Sequence, residues 1–224
     1  MSRLLNLIKK DKFVLLAELA ETNPEIFEAA AAGGADAIQI IVKNDPAKEL
    51  KQIHALMSKS KVPLGIVLGK EINIQSHELK EIEKMGFDFI NIGIEHLTPA
   101  FIGRHKITKV ITLDSRFSYD EVLEISKKNF EVLDAAIIPV SKKGKSLDVG
   151  DLQNYISIII SSGLPVLIPT QCRIHPSEVA IVSDAGAKGL ILTSLVTGNT
   201  AAHIAKTVEE YRAAVDELAV RGEA

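Results

Sequence analysis

Tryptophan is absent from this chain, and aromatic residues make up only 4% of it. A protein that grips unpaired bases needs rings to stack on them, so this composition offers no such platform. Positive charge is not in excess either: 26 Lys and Arg against 29 Asp and Glu leave a net charge of −3. Neither a nucleic-acid backbone nor an anionic membrane surface has an electrostatic reason to attract it. Cys172 stands alone, which excludes an intrachain disulfide and a multi-cysteine metal cluster and fits a reducing cytoplasm. Long apolar runs are missing too. The most apolar stretch, around Ile156 to Ile168, is broken by Ser161, Ser162, Gly163 and Pro165, so it is too short and interrupted to span a bilayer. Met1 to Asp11 mixes charges and lacks the apolar core of a signal peptide. A soluble protein is expected, with no nucleic-acid or membrane partner.

What the chain does have is rhythm. With 46% hydrophobic and 25% charged residues, it has the balance of a globular protein. Short β-branched runs alternate with longer amphipathic patterns from end to end. Eight strands are expected at Phe13–Leu19, Ala35–Val42, Pro63–Leu68, Phe87–Ile94, Lys109–Leu113, Val132–Val140, Pro165–Ile168 and Gly189–Ser194. Helices between them include Pro24–Ala32, Pro46–Ser58, Gln75–Met85, Tyr119–Lys127 and Asp148–Ser161, with only a weak turn or two at Thr98–Gly103. Strands that read as nearly continuous apolar runs are buried on both faces, as parallel strands under helices must be.

An internal repeat supports the count. Gly34-Ala35-Asp36-Ala37-Ile38-Gln39-Ile40 is echoed by Gly86-Phe87-Asp88-Phe89-Ile90-Asn91-Ile92, and Gly186 to Leu192 follows the same plan. Each is a glycine that stops a helix, followed at once by a strand. The copies are offset by near multiples of about 25 residues, one βα unit. The expected fold is therefore α/β, a single (β/α)8 TIM barrel occupying residues 1–224 as one domain.

In such barrels chemistry sits where strands run into the following loops. Those positions are Glu18, Lys43, Lys70, Glu95 with His96, Asp114 with Arg116, Ser141 to Lys145, Gln171 to His175, and Thr193, Ser194, Thr197 and Asn199. Carboxylates and cations that meet on one rim suit proton abstraction next to a carbonyl, with a cation stabilising the enolate. Solvated loop residues would give the same list.

Gln39 and Asn91 occupy equivalent places in strands two and four, so they share one layer and form either the floor of a site or a structural amide pair. Glu18 ends an apolar strand, where a carboxyl has a raised pKa and can act as a base. Asp114 is its counterpart on strand five. Lys70 is placed to pair with such a carboxylate or polarise a substrate oxygen, and a Schiff base there is the third option. Arg173 reads as an anion ligand and His175 as a helix cap or rim residue. Cys172 beside Arg173 reads chiefly as a small buried apolar residue. No spacing resembles a zinc site, so no metal is expected.

The stretch Arg173-Ile174-His175-Pro176-Ser177-Glu178, with Asp184 to Ser194 after it, resembles the end of the ribulose-phosphate-binding barrels. These include indole-glycerol-phosphate synthase, thiamine-phosphate synthase and ketodeoxyphosphogluconate aldolase; the local likeness is to the N-acylglucosamine-6-phosphate 2-epimerase branch. The resemblance implies phosphate on backbone amides after strands seven and eight, here Arg173, Ser194, Thr197, Gly198 and Asn199. The family's glycines after strand seven are replaced by Thr170-Gln171-Cys172-Arg173, its Gly-Ser after strand eight by Thr193-Ser194, and its Glu by Gln171.

Together these readings point to an isomerase, epimerase or lyase acting by proton transfer on a small phosphorylated sugar or related metabolite. Glu18, Lys70 and Asp114 would be catalytic, while Gln39, Lys43, Asn91, Glu95, Gln171, Arg173, Thr193 and Ser194 would bind substrate, with no cofactor. The alternatives are a non-catalytic barrel that binds a metabolite or protein partner, and an aldolase using Lys70 or Lys142 as a Schiff-base nucleophile. The ligand expected for the leading reading is a small, anionic molecule. The C-terminal helix from Thr200 to about Leu218 is a candidate homodimer face.

Overall fold

The computed structural model describes residues 2–10, 12–43, 46–57, 60–69, 72, 76–103 and 105–222. Lys70 lies outside the described residues. The first half runs α1 (Arg3–Lys9), β1 (Val14–Leu19), α2 (Pro24–Ala32), β2 (Ala37–Val42), α3 (Pro46–Met57), β3 (Leu64–Leu68), α4 (Ser76–Met85) and β4 (Phe89–Gly93). The second continues with α5 (Pro99–Ile102), β5 (Thr108–Thr112), α6 (Tyr119–Ser126), β6 (Val132–Asp134), α7 (Val149–Ser162) and β7 (Val166–Pro169). It ends with α8 (Val179–Asp184), β8 (Gly189–Leu192), α9 (Ser194–Thr197) and α10 (Ala201–Gly222). All eight strands are parallel, each pairs with its sequence neighbour, and β8 closes on β1. The chain is a single (β/α)8 barrel.

The repeat glycines do the work expected of them. Gly34, Gly86 and Gly186 have φ of 97°, 83° and 98°, a left-handed conformation that lets each helix stop and the next strand begin. After Gly34 and Gly86 the acidic residue two places on then ties strand starts together. Asp36 accepts the Leu15 N–H at 2.9 Å and the Arg212 Nη1 of α10 at 2.9 Å. Asp88 accepts the Leu64 N–H at 3.1 Å and Arg3 Nη2 at 2.8 Å.

Alternation along the strands divides the core in two. Leu15, Ile38, Ile40, Leu64, Ile66, Ile90 and Ile111 face outward beneath the helices. Val14, Leu16, Ala37, Phe89, Val110, Val132, Leu167 and Ile191 fill the lower half of the barrel interior, and Leu4 and Ile8 of α1 close that end. Phe89 fits because strand β3 carries Gly65 opposite it: a Cβ there would lie 2.3 Å from the ring.

One expectation needs correction, and two helices gain detail. Strand β6 ends at Asp134 rather than Val140, since Ala135 donates its N–H to Leu167 O at 2.9 Å and the Ile137 N–H then folds back to Ala135 O at 2.8 Å. The first eleven residues contain a helix, whose apolar pair Leu4 and Ile8 lies four residues apart on one face. In the C-terminal helix Ile204, Val208, Tyr211 and Val215 are buried in the common core, while Val220 is exposed.

Candidate active site

At the upper, C-terminal end of the strands the barrel interior turns polar. Glu18 lies opposite Gln39 in the β1–β2 register, and Thr112 opposite Asp134 in β5–β6. Their side chains join into one chain of hydrogen bonds. Gln39 Nε2 donates to Glu18 Oε2 at 2.8 Å, and Asn91 Nδ2 donates to Gln39 Oε1 at 3.4 Å and to Asp134 Oδ2 at 2.9 Å. Thr112 Oγ1 lies 3.0 Å from Asp134 Oδ2 and also contacts Asn91 Oδ1. Gln39, Asn91 and Asp134 are buried. The two amides expected to share a layer do so, in direct contact.

Two carboxyl groups thus end one amide chain in a place poor in water. Burial, then the charge of Asp134, pushes Glu18 up to about 7, against the hydrogen bond from Gln39 and the pull of Lys143. Burial pushes Asp134 up to about 6, opposed by its bonds from Asn91 and Thr112. Asp134 Oδ1 is buried with no hydrogen-bond partner. Groups that change charge near neutral pH suit acid–base work.

Of this chain of hydrogen bonds, Thr112 lines a cavity of about 470 Å³ whose walls also include Glu95, Asp114, Arg116, Lys143 and Gln171. Asp114 is bound to its own neighbour: it accepts the Arg116 N–H at 2.8 Å and Arg116 Nε at 2.8 Å. Glu95 has a carboxylate oxygen 3.5 Å from His96 Nε2. Gln171 uses its side-chain oxygen to accept the Ile138 N–H at 3.1 Å, and its carbonyl accepts the Gly144 N–H at 2.8 Å. Lys43 is exposed beside α3, its N–H donating to Glu49 Oε2 at 2.7 Å.

The residues expected to hold phosphate divide between two places. Ser194, Gly198 and Asn199 meet Glu18 and Glu21 around a cleft of only about 10 Å³. Thr193 binds back to β7, its N–H donating to Thr170 Oγ1 at 2.9 Å, and Thr197 is buried with its hydroxyl on Thr193 O at 3.2 Å. Arg173 is exposed on the far side of the β7 turn, close enough to Tyr211 of α10 to lower the pKa of that phenol against the effect of burial. His175 caps the turn before α8, its N–H donating to Glu178 Oε2 at 2.7 Å.

Outside the barrel wall, Cys172 is fully buried with Sγ 3.8 Å from Asp151 Oδ2, and burial raises it to about 11. It is a packing residue. Lys142 pairs with Asp148 and Asp151 at 2.7 Å each, and these bonds push its pKa up, the wrong direction for a Schiff-base amine. Among the described residues, no group of three or more His, Cys, Asp or Glu could hold a metal ion, and no helix is long and apolar enough to cross a membrane.

Asp134 and Lys143 are the residues of this region that sequence reasoning missed as individuals. A signal for Asp134 existed: it is the one charged residue in the run Val132 to Ile138. Reading the strand through to Val140 hid its place at the strand end.

No family model matches this chain. Thiamine-phosphate synthase from Pyrococcus furiosus is 25% identical over 219 residues, spanning 96% of this chain and 99% of that protein. Among solved structures, thiamine phosphate pyrophosphorylase from Pyrococcus furiosus superposes with a TM-score of 0.66 at 21% identity, over 93% of this chain and 98% of that one. The 3-keto-L-gulonate-6-phosphate decarboxylase from Vibrio cholerae gives 0.68 at 14% identity, over 92% and 98%. The likeness to these two solved structures shows that this chain shares their fold. None of the three carries the name of the epimerase branch that the last quarter of the sequence resembles.

Proposed function

We propose that the barrel mouth is the active site of an enzyme that moves a proton on a small phosphorylated metabolite. The observation that carries this reading is the run from half-buried Glu18 through buried Gln39 and Asn91 to buried Asp134, which meets the open cavity through Thr112 and the small cleft beside Ser194 through Glu18. Purely structural amides need partners of their own but no carboxyl group at each end. Glu18, pushed up to about 7, serves as the base that takes a proton from substrate and returns it. Gln39 and Asn91 hold the carboxyls apart and fixed, and the charge of Asp134 adds to burial in making Glu18 harder to ionise. Asp114, paired with Arg116, is a rim residue rather than a second base. The phosphorylated substrate class is supported by the names of the relatives: a thiamine-phosphate synthase and a 3-keto-L-gulonate-6-phosphate decarboxylase.

The test starts with a thermal-shift panel of sugar phosphates and of thiamine phosphate at constant ionic strength, since a ligand at about 100 times its dissociation constant adds roughly 2.7 kcal/mol of stability. Each stabilising ligand is then incubated with protein in deuterated water. Expected is deuterium entering one carbon-bound position, slowed about 100-fold or more by Glu18→Gln. A ligand that binds tightly yet shows neither exchange nor product would overturn the reading in favour of a non-catalytic binding barrel.

A further inference from the structure

We propose that a second cavity, at the end of the barrel opposite the mouth, is a binding site for a small zwitterion, an α-amino acid with an apolar side chain. This cavity holds about 600 Å³, against about 470 Å³ at the mouth. It lies where Phe13 and Asp36 lead into β1 and β2, with Ser183 supplied by α8 and Arg212 and Asp216 by α10. Phe13, Val215 and Leu218 on its wall belong to the layer between strands and helices, so the cavity is outside the barrel interior that α1 closes. The proton-transfer reading uses none of these residues, and the inference stands apart from it.

The charges on the wall balance: two cations, Lys12 and Arg212, are set among two carboxylates, Asp36 and Asp216. A dianion such as phosphate would meet both carboxylates, and a plain amine would meet both cations. A molecule carrying both signs finds a partner for each. These charges are not fully spent on one another. Asp36 Oδ2 takes the Leu15 N–H and Arg212 Nη1 at 2.9 Å each. Arg212 Nε lies 2.9 Å from Asp216 Oδ1, yet this buried nitrogen makes no hydrogen bond. Charge alone holds that pair, and a buried donor left in this state costs free energy that a better-placed acceptor recovers. The Asp216 side chain is 69% exposed, so it can turn toward an incoming amine. Lys12 is exposed, and its ammonium enters no ion pair or hydrogen bond with the described residues.

The frame of the site is set in advance. Gly34 lies against the stem of Arg212: a Cβ there would be 2.9 Å from Cγ and 3.0 Å from Cδ, so the missing Cβ leaves room for the arginine. An arginine held along its stem and at Nη1 loses little freedom when a ligand arrives. A carboxylate between Lys12 and Arg212 makes charge-assisted hydrogen bonds, and an ammonium does the same at Asp216. The substrate's side chain then rests on Phe13, Val215 and Leu218, an apolar wall beside a few converging polar groups.

The experiment titrates the whole chain by calorimetry at about neutral pH and constant ionic strength, with the fold of each variant checked by its melting curve. The probes are L-leucine, isocaproate, which is leucine without its amine, and L-leucinamide, which lacks the carboxylate. Expected is saturable binding of L-leucine, tighter than that of either analogue by about tenfold or more, since each has lost roughly one charge-assisted hydrogen bond. Lys12→Met should weaken L-leucine about tenfold and leave L-leucinamide unchanged. Asp216→Asn should weaken L-leucine by a similar factor and leave isocaproate unchanged, a crossed pattern that general damage to the fold does not produce. Glu18→Gln should retain L-leucine binding, which separates this site from the mouth. No binding of L-leucine by the unaltered chain at about 20 mM, equal affinity for all three probes, tighter binding of inorganic phosphate, or unchanged affinity in both wall variants would each overturn the proposal.

Discussion

The lower and upper halves of the barrel interior are made by the same strands with the same alternation, yet one is hydrocarbon and the other a string of hydrogen bonds. A single residue separates Phe89 from Asn91, Val110 from Thr112 and Val132 from Asp134, and in each pair the first packs in the apolar lower cluster while the second joins the polar chain. One step of the pleat is enough to pass from packing to chemistry. The lower half gains stability from tight filling. The upper half gives some of it up, because buried carboxyl groups are easier to keep neutral than charged.

The comparison breaks most visibly at its lower end. Phe89→Ala removes a fully buried ring that Gly65 makes room for, and it should cost about 3–5 kcal/mol in a urea unfolding curve. Proton-transfer sites, if confined to the upper half, would keep their chemistry in whatever fraction remains folded.

The upper half should respond with the opposite sign. Glu18 holds its proton up to about 7 in the folded state against an ordinary value of 4.5, and Asp134 up to about 6 against 3.8. Between those values the folded protein binds more protons than the unfolded chain, so each group's contribution to stability is greatest below the ordinary value and falls as pH rises through the window. Glu18→Gln should therefore flatten the decline between pH 4.5 and about 7, by an amount on the order of 2 kcal/mol. Unfolding curves at several pH values check this; a decline as steep as in the unaltered chain would mean that Glu18 ionises freely.

The smallest effect is expected on the rim. Gly144→Ala places a Cβ on a residue with φ of 77° that has no close neighbour but Leu195 Cδ1 at 3.8 Å. The cost is then backbone strain alone, about 1 kcal/mol by thermal unfolding.

These two halves were not equally legible. The barrel was readable because its punctuation is local: a glycine, an acidic residue and an apolar run recur at strand starts, and each has a reason within a few residues of chain. The Gln39–Asn91 contact was readable for the same cause, since period-two alternation carries a layer across strands. Asp134 was not, because its partners Asn91 and Thr112 lie 43 and 22 residues away and nothing near it in sequence marks the end of β6. Lys109 hid likewise. It reads as the start of strand five, but its Nζ is buried and donates to Phe101 O at 3.1 Å and Gly103 O at 2.9 Å, beside the Phe130 ring. It serves as the cap that holds the short helix α5, a role that only the fold reveals.

Helix α1 adds a last consequence. By setting Leu4 and Ile8 across the lower opening, it makes the barrel a well with one mouth and no drain. Any ligand of the proposed active site would therefore enter and leave at the same end of the barrel, where the strands terminate.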